Sequence, residues 1–135
     1  MRITKKLIKS KVIKYADLLG IGDYKYHVNL ISKNKLLKDN CALYASILVD
    51  DECREVYLQI NKDLLKERPD ELDITIIHEL LHVRFSEITS LFSLLCKHYV
   101  KDEKAKKMYI NQVNLHEHKI IVALANIMNK DKNNG

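Results

Sequence analysis

His78-Glu79-Leu80-Leu81-His82 is the stretch of this 135-residue chain whose residue types and spacing could do chemistry. On a helix, residues four apart lie one turn above each other on one face, so both imidazoles can reach a single metal ion. Zinc accepts such nitrogen ligands at about 2.0–2.1 Å. Glu79 lies about 100° round the helix from His78, close enough to address a water on that metal without ligating it. The H-E-x-x-H spacing therefore predicts His78 and His82 as metal ligands and Glu79 as the catalytic general base toward a metal-activated water. Five of the six histidines fall between positions 78 and 118.

A catalytic zinc keeps three protein ligands and one open position, so a third ligand must arrive from another element. Residues 116–118 offer His116, Glu117 and His118 in a row. At 100° per residue, the apolar stripe of Ile110, Val113, Ile120, Ile121, Leu124, Ile127 and Met128 is centred within about 20° of Glu117, with His116 about 80° and His118 about 120° away on opposite sides. A carboxylate in a core-facing stripe is costly unless a partner compensates it. A zinc ion shared with His78 and His82 would do so, which makes Glu117 the expected third ligand. The competing expectation is Glu117 buried against a lysine or other polar groups.

The elements that must position these residues follow from periodicity. Residues 1–20 form an amphipathic basic helix, with Ile3, Leu7, Ile8, Val12, Tyr15 and Leu19 on one side and Lys5, Lys6, Lys9 and Lys14 mostly on the other, stopped by Gly20 and Gly22. Residues 24–61 alternate as strands: Tyr26, Val28 and Leu30 on one face of the first, a second run over 42–49, a turn at 50–53, and a third with Val56, Leu58 and Ile60 in register. Pro69-Asp70 is a helix start, giving an active-site helix over 70–84. Ile88, Leu91, Phe92, Leu95 and Tyr99 mark a further helix, the charged run 101–107 reads as a solvated loop or helix edge, and a third-ligand helix spans 108–128. The fold class is α+β: a small antiparallel or mixed sheet followed by helices, in one domain over 1–135.

Composition narrows the alternatives. Three glycines and one proline exclude collagen-like, linker-rich and low-complexity chains, and disfavour a sandwich or barrel. The formal charge of +5 raises nucleic acid as a partner, but four arginines and no recognition motif leave that reading disfavoured. No run approaches the roughly 20 apolar residues of a membrane span, and no signal-peptide pattern appears. Cys41, Cys53 and Cys96 are odd in number and lack a C-x-x-C pair, which suits a reducing cytoplasm. Cys96 sits on an apolar helix face and reads as core, Cys41 precedes the second strand run, and His27 reads as a surface residue.

The HELLH helix, the preceding sheet and a glutamate on a following helix resemble the zincin metallopeptidases, and more narrowly their gluzincin branch. The small size and the run Glu117-His118-Lys119-Ile120-Ile121-Val122-Ala123-Leu124-Ala125 are similar to the minigluzincin-like and phage-type metallopeptidases, over roughly residues 24–128. The resemblance implies a minimal zincin-like domain, a Zn2+ cofactor held by His78, His82 and Glu117, and an edge strand at 42–49 that pairs with extended peptide. Two consecutive acidic residues often open the third-ligand helix in that family. Here the second is His118, so a histidine third ligand stays open.

The expected function is a cytoplasmic, zinc-dependent metallopeptidase hydrolysing peptide bonds in a peptide or protein substrate, with no membrane partner. A zinc-stabilised, non-catalytic regulatory or interaction domain is the alternative. Tyr109, His116, Tyr99 and His98 are the candidates for stabilising a developing oxyanion, and Asp73 and Asp63 for orienting the metal-bound imidazoles.

Overall fold

The structure, a computed structural model, describes the backbone of residues 2–32, 37–38 and 41–134 and the side chains of 2–32 and 43–130. Helix α1 (Lys5–Leu18) opens at Thr4, whose Oγ1 accepts the Leu7 amide at 3.1 Å. It closes at Gly20, whose φ of 72° is the left-handed conformation glycine adopts at no steric cost. The Gly20 and Ile21 amides then donate to the Asp17 and Ala16 carbonyls at 3.2 and 2.9 Å, which caps the helix end. Ile8, Val12, Tyr15 and Ala16 are buried while Lys5, Lys6, Lys9 and Lys14 face solvent, as the periodicity predicts.

Strands β1 (Lys25–Ile31), β4 (Ala45–Asp50) and β5 (Glu55–Asn61) form one mixed sheet in the order β1-β5-β4. β5 runs parallel to β1, with Val28 opposite Leu58, and antiparallel to β4, with Ile47 opposite Leu58. Two short strands between them, β2 (Leu37–Lys38) and β3 (Cys41–Ala42), pair with each other in an antiparallel ladder. The strand expected over 42–49 is therefore interrupted. Asn61, fully buried, takes the carbonyls of Leu43 and Tyr44 with its Nδ2 and backbone N–H at 3.0 and 2.9 Å, and β4 begins only at Ala45. Val28, Val56, Leu58, Ile60 and Ala45 are buried under the helices. On the opposite face His27 stacks on Tyr57 with ring centroids 4.7 Å apart, and both bond to Glu55.

Asn61 also caps α2 (Lys62–Glu67), and a 3-10 turn at Pro69–Glu71 leads into α3 (Leu72–Tyr99). The two helices expected over 70–84 and 88–99 are one helix of 28 residues. Nothing between them breaks the backbone: neither Gly nor Pro occurs there, and Ser86 and Thr89 donate back to the Val83 and Phe85 carbonyls at 2.8 and 3.2 Å. Helix α4 (Glu103–Asn134) likewise outruns the expected 108–128. The charged run is mostly its first turns, because Asp102 Oδ1 accepts the Lys104 amide at 3.2 Å and starts the helix early.

The core lies between the inner sheet face, α1 and the first half of α3, where Leu72, Ile76, Ile77 and Leu80 are buried. α3 also packs along α4 and against β4. The seam of α4 is narrower than the predicted stripe: Ile121 and Ala125 are buried and Leu124 and Met128 pack beside them, whereas Ile120 and Ile127 are 49% and 56% exposed. Along α4, the half-buried residues Ile110, Val113 and Glu117 continue this line, so the carboxylate stands in the seam facing α3. None of the described helices is long and apolar enough to cross a membrane.

Candidate metal centre

His78, Glu79 and His82 sit in the first half of α3, the part clamped between the sheet and α4. The apolar residues around them fix their direction. Ile76, Ile77, Leu80, Leu81 and Val83 occupy the buried sides of the helix, so the three polar residues are left on the side facing β4 and α4. There they line an open groove of about 610 Å³, walled by Ala45, Ser46, Ile47 and Val49 of β4 and by Asn114, Glu117 and His118 of α4. A smaller hollow of about 300 Å³ shares His78, Glu79, Leu43 and Ala45 with the groove and continues between Ile74, Val122 and Ala125.

The imidazoles converge. The His78 ring lies 5.2 Å from that of His82 and 5.5 Å from that of His118, centroid to centroid, at steep interplanar angles. One ring nitrogen from each of the three falls within 4.8 Å of the others. Three nitrogens around a tetrahedral zinc at 2.0–2.1 Å stand about 3.3 Å apart, so an inward adjustment of roughly 1.5 Å would seat the ion. The donor set, three neutral-capable imidazoles, also fits zinc by chemistry. Glu117 is placed differently: its Oε1 accepts from His82 Nδ1 at 3.1 Å, with the carboxylate side chain 14% exposed.

Burial dominates the electrostatics. It lowers the His78 pKa to about 4, and the neighbouring His82 and His118 push in the same direction. Burial raises the Glu79 carboxyl above its usual range, with His82 partly opposing. A carboxylate whose proton affinity is raised is a better base than an exposed one.

Several predicted site residues lie elsewhere. Tyr99 is 80% exposed, and neither it, Tyr109, His98 nor His116 lines the groove. Asp73 holds Lys11 at 2.8 Å and ties α3 to α1, and Asp63 lines a separate depression with Arg2 and Lys66. Cys96 is buried, as its helix face predicts, whereas the Cys41 side chain lies outside the described residues. Two features have no counterpart in the sequence reading. Asn114 lies in the groove one turn before His118, a position its spacing of four could have signalled. Asp51, in the β4–β5 turn, accepts from Tyr24 Oη at 3.0 Å, Ser86 Oγ at 2.8 Å and Ser90 Oγ at 3.3 Å, so it fastens the hairpin to α3 one turn beyond His82.

Comparison of the chain with family models, with curated proteins and with solved structures returns no match.

Proposed function

We propose that this protein is a zinc-dependent peptidase whose centre is built on His78 and His82 of α3, completed from α4, with Glu79 as general base. The observation that carries the reading is the convergence of three histidine nitrogens to within 4.8 Å of one another in the groove that also holds Glu79. A zinc ion bound there would act as a Lewis acid on a carbonyl oxygen and lower the pKa of water toward 7.

The chain's own residues supply the rest. Glu79, partly withdrawn from water and one residue from His78, takes the proton of the attacking water and returns it to the leaving amine. Among the described residues β4 is an edge strand, paired with β5 alone, and its Ala45–Asp50 backbone runs along the groove. An extended peptide can add to that edge by main-chain hydrogen bonds, which bring affinity without dictating sequence. The zincin-like relationship is part of the same proposal and rests on HELLH and the preceding sheet. A reducing cytoplasm suits Cys53 and Cys96, both free thiols.

The test is metal content by mass spectrometry together with cleavage of a peptide library, for the wild type and Glu79→Gln. The expected result is about one zinc per chain in both proteins, with chelator-sensitive cleavage in the wild type alone. Zinc bound by a wild type that cleaves nothing would replace the peptidase with a zinc-stabilised binding domain.

A further inference from the structure

Resting on the metal-site reading above, we infer that His118 is the third ligand and that Glu117 is a positioning residue acting through His82. The inference starts from the hydrogen bond between Glu117 Oε1 and His82 Nδ1. An ionised carboxylate can only accept, so the proton of that bond resides on Nδ1. A neutral imidazole carries one proton, which leaves Nε2 as the His82 nitrogen with a lone pair for a metal. The two nitrogens point away from each other across the ring. With zinc on Nε2 at about 2.0–2.1 Å and an oxygen in line with Nδ1, the oxygen stands about 7 Å from the ion. Glu117 therefore cannot hold His82 in this way and ligate the same ion.

His118 meets the requirement that Glu117 fails. Its ring is 5.5 Å from that of His78, and its nitrogen belongs to the cluster within 4.8 Å. The helical stripe explains the division of labour. Glu117 is in the seam between α4 and α3, where its Oε1 meets the His82 side chain at 3.1 Å. His118 is one residue further round, on the groove side, and exposed. A carboxylate that accepts from the remote nitrogen of a metal-bound histidine fixes its tautomer and raises its basicity, and losing such a partner usually costs 10- to 100-fold in metal affinity.

Zinc affinity is measured by competition with a chromophoric chelator, for the wild type and His118→Ala, Glu117→Gln and Glu117→Ala, with circular dichroism confirming the helical fold. Long-range 15N–1H correlation spectra of the zinc-loaded protein report which His82 nitrogen carries the proton. Under the inference, His118→Ala loses more than 100-fold in affinity. Glu117→Ala loses 10- to 100-fold. Glu117→Gln, whose amide oxygen still accepts from Nδ1–H, stays within a fewfold of wild type, and His82 shows a protonated Nδ1 and a metallated Nε2. Wild-type affinity in His118→Ala, collapse of binding in Glu117→Gln, or metallation of His82 through Nδ1 would overturn it. Zinc held by three histidines without Glu79-dependent cleavage would end the peptidase reading and leave this one standing. Zinc held through Glu117 with intact cleavage would do the reverse, and a chain that takes up no zinc would end both.

Discussion

Replacing Asp51 by alanine tests how the groove is held at its correct width. Asp51 is a surface-turn residue, yet its carboxylate gathers three hydroxyl donors from two other elements: Tyr24 ahead of β1, and Ser86 and Ser90 on α3. A hydrogen bond to a charged group contributes about 1.5–3 kcal/mol. The three do not count equally. Ser86 Oγ is also 2.8 Å from the Val83 carbonyl, so its single proton has another acceptor when Asp51 is gone. Ser90 is exposed, and its contact is long at 3.3 Å. Tyr24 is 6% exposed, and the Ser86 hydroxyl beside it offers only an uncharged acceptor in place of the carboxylate, so the tyrosine hydroxyl carries most of the loss. Burial is the main cause of the raised Tyr24 pKa, with the Asp51 hydrogen bond next, in keeping with a hydroxyl that donates to this carboxylate. The expected destabilisation is about 2–3 kcal/mol, or roughly 5–10 °C in melting temperature for a domain of this size. Urea denaturation of the wild type, Asp51→Ala, Tyr24→Phe and the double variant measures it, with a coupling of about 1–2 kcal/mol expected between the two sites. Amide exchange should quicken in β4 and in the turn of α3 carrying Ser86. A loss under about 0.5 kcal/mol, or additive single changes, would refute the claim that this carboxylate clamps the hairpin to α3.

Two further outcomes follow from burial and packing. In metal-free protein, His78 titrates near 4 rather than at its ordinary 6.5, so between those values the unfolded chain binds more protons than the folded one. Stability is accordingly unaffected above about pH 6.5 and falls as pH drops toward 4. The full span corresponds to roughly 3 kcal/mol, and solvent screening of a half-buried ring reduces it to about 1–2 kcal/mol. Thermal melts of wild type and His78→Gln across this range check it, and parallel slopes would refute it. Ile121→Ala removes the fully buried side chain that anchors α4 one turn beyond Glu117, so it should destabilise the fold by about 2–4 kcal/mol and weaken zinc binding as well. Unchanged zinc affinity in a clearly destabilised variant would show that the α4 residues hold their places without that anchor.

HELLH and its setting were legible from sequence because they depend on local rules. An i, i+4 pair shares a helix face whatever surrounds it. Apolar residues on either side of the motif decide which way that face points, and alternation over 24–61 marks strands with their buried side. The mixed α+β architecture with a sheet ahead of the HELLH helix followed from those patterns and is what the structure shows. Stripe geometry also placed Glu117 toward the protein interior, where it is found.

Other features depended on contacts between segments far apart in the chain. The parallel pairing of β1 with β5 and the start of β4 at Ala45 both depend on partners that periodicity does not specify. The same holds for the neighbour of Glu117. Helical phase put a carboxylate in the seam and required something to compensate it, but only the packing of α4 on α3 decided that this would be His82 Nδ1 across 35 residues of chain. That packing also rotates His118 into the groove beside His78. By itself the sequence determined which residues could meet a metal. Their division into histidines that converge in the groove and a glutamate that bonds one of them was decided by tertiary structure, because helix phase sets a direction and only a neighbouring helix sets a distance.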